Sequence, residues 1–241
     1  PAARFRLRLL AGPPATALAA RLAALDPCVT AEAQAATPHG FNFAAVINAA
    51  VLEGEPGKAT ADTVVLLNDD MLALDDAWLT ALLEALALPG VGVAGGTLLY
   101  PDGAIQHCGL ALGGAAAAVH LCHGAARDDP AHAPQIRLMR NRAAVTGAMM
   151  AFRRATFARV GGFDTGFPVD FNDVDFCLRV QRAGLRVVYT PHAVMQHDES
   201  ASARRIAADR LDARRFAERW AAMVRRDPWH DARQDKARDG T

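Results

Sequence analysis

The sequence predicts an α/β domain organised around an open sheet, and three observations carry that expectation. Strand-like and helix-like segments alternate along the first 67 residues, the rhythm of a sheet covered by helices. Thr63-Val64-Val65-Leu66-Leu67 is a continuous apolar run, the pattern of a parallel strand buried on both faces. With 241 residues, 51% of them hydrophobic and 22% charged, the chain can bury a sizeable core as one large domain or two small ones.

Each element follows from local pattern. Residues 4–10 alternate basic and apolar side chains and then meet Gly12-Pro13-Pro14, so they read as a strand ending in a turn. Residues 15–25 form an Ala/Leu-rich helix stopped by Asp26-Pro27. An extended piece at 28–33 leads through His39-Gly40-Phe41-Asn42-Phe43 to a helix at 44–52, and then to the 63–67 strand. Trp78, Leu79, Leu82, Leu83 and Leu86 recur at helical spacing within 76–88, and Pro89-Gly90 ends that helix. Residues 91–100 read as a strand before the turn chemistry of Tyr100-Pro101-Asp102-Gly103. The Gly/Ala/His-rich stretch 113–134 predicts a long irregular loop. A strand at 143–152, a short helix at 154–160, a helix from Asn172 to Gly184 and a last short strand at 185–189 complete the domain. Residues 203–226 are helical and rich in Arg and Ala, with a polar tail after Pro228.

Composition excludes several classes. The 26 basic residues balance 26 acidic ones, which argues against an extended nucleic-acid surface. Cys28, Cys108, Cys122 and Cys177 form no C-x-x-C pair, which speaks against a zinc knuckle or redox dithiol and favours a reducing compartment. No apolar run approaches the ~18 residues of a membrane span. Residues 1–10, PAARFRLRLL, have no apolar core of the kind a signal peptide carries.

Four constellations could carry chemistry. Asn68-Asp69-Asp70 follows the buried strand directly, and in open α/β sheets ligands sit at the carboxyl ends of strands. If the backbone stays extended, Asn68 and Asp70 point to one side and offer oxygens to a hard divalent cation. Capping of the next turn explains the same acids, so position leaves both readings open. In Phe171-Asn172-Asp173-Val174-Asp175, Asn172 fits an N-cap and Asp175 a capping box, which spacing alone favours over catalysis. Asp173 would lie in the first turn, where the helix dipole favours a carboxylate ready to accept a proton. His197, in Gln196-His197-Asp198, is a plausible metal ligand or diphosphate contact, although a lone His is more often an ordinary polar residue. Gln106 and His107 line either a polar pocket or an ordinary strand edge.

Taken in order, these segments resemble family 2 glycosyltransferases, especially the bacterial rhamnosyltransferase-like group. The stretches that carry the resemblance are FNFAAVINAA (41–50), VVLLNDDMLAL (64–74), YPDGAIQHCGLALG (100–113), AVTGAMMAFRRATFARVGGFD (144–164), FNDVDFCLRVQRAGLRVVYTPHAVMQHDESAS (171–202) and DPWHDA (227–232). The resemblance implies a GT-A (nucleotide-diphospho-sugar transferase) fold with a mixed, mostly parallel central sheet flanked by helices. It also implies that the domain is N-terminally incomplete: residues 4–10 fit the family's second strand, and the 11–16 turn lacks its acids. The implied layout is a glycosyltransferase domain over 1–202, with a partial nucleotide-binding half at 1–75 and an acceptor and catalytic half at 76–202, followed by a C-terminal helix and tail at 203–241.

The implied activity is inverting transfer of a sugar from a nucleotide-diphosphate-sugar to an acceptor hydroxyl of a glycan or lipid-linked acceptor. Asp173 falls on the catalytic base, Asp70 and His197 on the holders of Mg or Mn, and Asn68 and Asp69 on the donor-binding motif. Gln106, His107, Gly147, Gly162 and Asn172 fall where the family shapes its sugar or acceptor pocket. Asn68 stands where many relatives have Asp, and Asn172 replaces the acidic partner of the base. The resemblance further implies a cytoplasmic role in cell-surface polysaccharide synthesis without a transmembrane segment; the Arg-rich 203–226 helix offers peripheral association at the inner face of the membrane, with a solvated helix face as the plainer reading. Two alternatives stand beside it: a non-catalytic glycosyltransferase-like binding module with an incomplete donor site, and an unrelated metal-dependent phosphotransfer enzyme using Asp69 and Asp70.

Overall fold

The computed structural model describes residues 6–11, 16–25, 28–33, 41–53, 61–113, 116–198 and 209–230. The chain forms two compact units, Pro1–Asn42 and Phe43–Thr241. In the first, β1 (Leu7–Ala11), α1 (Thr16–Leu25) and β2 (Val29–Ala33) make a β-α-β unit, whose strands pair in parallel from Leu7↔Val29 to Ala11↔Ala33. These three elements match the sequence expectation.

The second unit opens with α2 (Phe43–Asn48), which widens into a π-helical turn (Ala49–Glu53). Next come β3 (Thr63–Leu67), β4 (Met71–Ala73), α3 (Trp78–Ala87), β5 (Val91–Leu99), β6 (Ile105–His107), β7 (Leu110–Leu112), β8 (Ala118–His120), α4 (Ala133–Arg137) and β9 (Arg140–Asn141). The chain continues with β10 (Met149–Arg153), α5 (Arg154–Val160), α6 (Asn172–Arg182), β11 (Arg186–His197), α7 (Asp209–Arg219) and α8 (Ala221–Arg225). A mixed seven-stranded sheet runs β3-β10-β5-β11-β4, with β6 on β5 and β9 on β11, and β7 and β8 form a separate hairpin.

The sheet is mixed as expected, but its pairing is not mostly parallel. Among the described residues only β5 and β11 run parallel in it, because β10 inserts antiparallel between β3 and β5 and β4, β6 and β9 also pair antiparallel. β3 is accordingly not a parallel strand buried on both faces: it pairs with antiparallel β10 and most of its residues are half-buried. An apolar run reports apolar surroundings, not strand direction.

β5 is buried along its whole length and forms the centre of the core. Leu82, Ala85 and Leu86 of α3 pack there against Ala94, Leu98, Met149, Ala151, Val188 and Met195. An aromatic cluster, Phe152, Phe157, Phe163 and Phe176, joins β10, α5 and α6 with ring centroids 4.9–5.5 Å apart. Such pairs add about 0.5–1.5 kcal/mol each beyond area burial, and here they anchor α6 on the sheet.

Three boundaries move for identifiable reasons. The strand expected at 143–152 begins only at Met149, because residues 144–148 leave the sheet to bond Leu110, Asp173 and Asn68. The last strand does not stop at 189 but runs to His197 through a bulge between Tyr189 and Val194, where Pro191 is tolerated. The 113–134 stretch is not wholly irregular, since Ala118–His120 returns as β8 against β7. At the C-terminus α7 and α8 are helical as expected, while residues 203–208 lie outside the described residues. Among the described residues no helix is long and apolar enough to cross a membrane.

Candidate active site

The carboxyl end of β3 and the end of β11 meet through β4. β4 pairs antiparallel with β11, bringing His197 opposite Met71, and the Asp198 N–H donates to the Asp70 carbonyl at 3.0 Å. This ladder sets the His197 ring against Asp70 across 127 residues of sequence: His197 Nε2 lies 3.0 Å from Asp70 Oδ1. Asn68 approaches the same nitrogen, Nδ2 to Nε2 at 3.3 Å. Residues 69–70 form a turn, not an extended strand, yet Asn68 and Asp70 still converge. Asp69 is exposed.

Asp70 Oδ1 is buried and has no aligned hydrogen-bond donor despite the nearby imidazole. A buried carboxylate oxygen without a donor is costly unless a positive charge completes it. The donor set of a carboxylate, an imidazole and an amide suits a hard or borderline divalent cation that keeps water or phosphate oxygens in its remaining positions. Among the described residues no three His, Cys, Asp or Glu side chains gather in a metal-binding group; the Asn68 amide is the further polar group beside Asp70 and His197.

Asp173 sits in the first turn of α6, half-buried. Its Oδ2 accepts the Gly147 N–H at 2.8 Å and its Oδ1 accepts the Val174 N–H at 2.7 Å. Both oxygens are thus oriented by backbone, and each keeps a second lone pair. The metal-site candidates and Asp173 are joined by residues 146–148. Gly147 bonds Asp173, Ala148 O accepts the Asn68 N–H at 3.0 Å, and the Thr146 N–H points to His107 Nε2 at 3.4 Å. A Cβ on Gly147 would stand 3.5 Å from Asp173 Cβ and 3.8 Å from its Oδ2, in ordinary contact with that side chain.

His107 is buried, and its Nδ1 lies 3.1 Å from His120 Nδ1. Burial pushes its pKa well below the ordinary histidine value, with His120 and Arg142 adding to the effect. The neutral ring therefore accepts from Thr146 N–H. Arg142, fully buried, braces this segment by donating to Cys108 O, Gln135 Oε1 and Gln135 O at 2.7–3.1 Å. Its side chain lies so close beneath Gly109 (φ +107°) that a Cβ would come within 2.7 Å of it.

The capping expectation at α6 is overturned. The N-cap is Phe171, in left-handed conformation at φ 61°, with no side-chain cap bond. Its ring stacks on Phe216 of α7 at 4.8 Å. Asn172 is the first helical residue and is buried, with its Nδ2 donating back to Val169 O at 2.5 Å. Asp175 forms no capping box. Its fully buried carboxylate accepts Arg179 Nε at 2.7 Å, Arg219 Nη1 at 3.0 Å and Trp220 Nε1 at 2.9 Å. Gly162 (φ +71°) faces Asn48, whose Oδ1 a Cβ would meet at 2.5 Å. Asn48 in turn binds Phe163 N and O at 2.8 Å each.

Sequence reasoning missed the clamp on Asp175. The Asp175/Arg179 spacing of four on a helix was its one local signal; Arg219 and Trp220 lie 44 and 45 residues away. Among the described residues of the Arg-rich C-terminal segment, Arg219 pairs Asp164 and Asp175, Arg215 bonds Gly166 O, and Arg214 pairs Glu218. A surface cleft lined by Leu88, Gly90, Arg153, Thr156 and Arg159 contains none of the site groups.

The profile of the glycosyltransferase like family 2 matches residues 29–222, and the chain belongs to that family. It is 38% identical over 165 residues to an uncharacterised protein of Sinorhizobium fredii, covering 67% of this chain and 17% of that protein. It is 35% identical over 195 residues to the O-antigen biosynthesis protein RfbC of Myxococcus xanthus, covering 79% of this chain and 14% of RfbC. The chain thus spans less than a fifth of the length of either relative. Its fold is the GT-A fold: it superposes with a TM-score of 0.55 and 19% identity on the mannosyltransferase PcManGT of Pyrobaculum calidifontis, solved in complex with GDP-Man and Mn2+, covering 89% of this chain and 52% of that one.

Proposed function

We propose that this chain transfers a sugar from a nucleotide-diphosphate-sugar to an acceptor hydroxyl with inversion at the anomeric carbon. Asp173 serves as general base, and Asp70 and His197 with Asn68 hold Mg or Mn at the donor diphosphate. The observation that carries this reading is the juxtaposition of two sets of groups through residues 146–148: the converging acceptor atoms of Asp70 and His197, and the backbone-oriented carboxylate of Asp173.

An inverting transfer needs a base on the acceptor side and charge stabilisation on the leaving-group side. Asp173 takes the acceptor proton as the hydroxyl oxygen forms its bond to the anomeric carbon; the bond from that carbon to the diphosphate oxygen breaks, and its electron pair stays on the diphosphate. The bound cation would supply Lewis-acid compensation of the charge left there. Gly147 orients Asp173 through its N–H, His107 secures Thr146, and Gly162 and Asn172 shape the flanking loop from behind. Asp69, exposed beside the cluster, is positioned for donor contact. In this reading residues 1–75 are a partial nucleotide-binding half, 76–202 the acceptor and catalytic half, and 203–241 a C-terminal helix and polar tail.

The Mn2+ and GDP-Man bound to PcManGT support a divalent cation and a nucleotide-sugar donor here. The O-antigen name of RfbC supports a glycan acceptor in cell-surface polysaccharide synthesis. The test is to incubate the purified chain with a panel of nucleotide-diphosphate-sugars, with Mn2+ or with chelator, and to measure nucleoside diphosphate release. Release from at least one donor in Mn2+, lost in chelator, is expected. No cation-dependent release from any donor would overturn the catalytic reading and leave a non-catalytic binding module.

A further inference from the structure

We propose that Gln106 is a positioning residue that fixes His197 with its proton on Nδ1 and the Nε2 lone pair turned toward Asp70. The proposal rests on the metal-site reading above and changes the place of Gln106 within it, from the wall of a sugar pocket to the support behind a ligand.

Four observations carry it. Gln106 is buried, at 4% exposure, and its Oε1 lies 2.7 Å from His197 Nδ1. An amide oxygen accepts only, so the proton between them sits on Nδ1. On the other edge of the ring, Asn68 Nδ2 approaches Nε2 at 3.3 Å, and a donating amide there requires a lone pair on Nε2. Both amides therefore select the same tautomer. Asp70 Oδ1, 3.0 Å from Nε2, receives no aligned N–H, which is what two facing lone pairs would leave.

The backbone is built to aim Gln106 at this nitrogen. β6 pairs with β5 through Leu98↔His107 and Leu99↔Ile105, so Gln106 is one extra residue between the two paired positions. An extra residue of this kind bends the strand and re-aims a side chain, and such bulges gather beside functional sites. A ligating imidazole whose other ring N–H is anchored keeps its orientation and tautomer, and losing the anchor typically lowers metal affinity.

The test compares wild type, Gln106→Leu, which cannot accept a hydrogen bond, and Gln106→Glu, which can. Long-range nitrogen–proton correlation of His197 in the metal-free protein is recorded at about pH 9, where free imidazole is neutral. Wild type and Gln106→Glu are expected to show the proton on Nδ1, and Gln106→Leu to lose that preference. Mn2+ affinity, read by electron paramagnetic resonance, should fall about 10- to 100-fold in Gln106→Leu and stay near wild type in Gln106→Glu. A Gln106→Leu protein with unchanged tautomer and unchanged Mn2+ affinity would overturn the proposal, as would a wild-type ring protonated on Nε2. If His197→Ala leaves Mn2+ affinity unchanged, the metal-site reading fails instead, while the tautomer comparison still decides what Gln106 does.

Discussion

Asp173→Asn should lower turnover by about 10³-fold, in the middle of the range for a positioned general base, while donor binding persists. Asn has nearly the same shape but cannot take up the acceptor proton. It also satisfies only one of the two backbone donors now bonded, Gly147 N–H or Val174 N–H, so a small loss of stability of about 1 kcal/mol accompanies the change. Single-turnover kinetics with saturating donor separates the two effects, because a group acting only in the transition state lowers kcat and leaves donor affinity in place. Turnover equal to wild type would remove Asp173 from the base role.

The second large effect is on stability. Asp175→Ala removes a fully buried carboxylate that satisfies Arg179, Arg219 and Trp220 together. Removing this acceptor costs about 3 kcal/mol, the low end for breaking a buried pair, because buried Trp220 Nε1 loses its acceptor while Arg219 keeps Asp164 and Arg179 keeps Val160 O. For a chain of this size that corresponds to a fall in Tm of roughly 10 °C. Arg214→Ala is the control: its pair with Glu218 is well exposed on both sides, and Tm should not move measurably. Because Asp175 is one turn from the start of α6, its loss also loosens the helix end that carries Asp173, so activity should fall with stability. An Asp175→Ala melting curve that overlays wild type would contradict the clamp.

Local chemistry made much of the fold legible and little of the site's support. Thr63–Leu67, Arg154–Val160 and the first helical turn around Asp173 could be placed because each depends on a short pattern of side chains. The antiparallel insertion of β10 could not, since an apolar strand has the same composition in either direction. The sequence pattern carries the last strand only to Tyr189, whereas in the structure a bulge between Tyr189 and Val194 absorbs Pro191 and the strand continues to His197. Asn68, Asp70, His197 and Asp173 stand out in the sequence only by their order along the chain, and the ladder between β4 and β11 brings the first three together. The polarity of Gln106 is visible in the sequence, but its direction is not, because that depends on one extra residue in β6. The Asp175 clamp depends on contacts across more than 40 residues, which no local pattern records.

The central claim is that Asp70 and its neighbours bind a cation on a nucleoside diphosphate. Calorimetric titration of Mn2+ into the wild-type chain with UDP, GDP or TDP present, repeated with Asp70→Ala, addresses it directly. The account predicts saturable Mn2+ binding with at least one nucleotide in wild type and at least about tenfold weaker binding in Asp70→Ala, the scale set by losing a charged ligand. Equal Mn2+ affinity in the two proteins would contradict it.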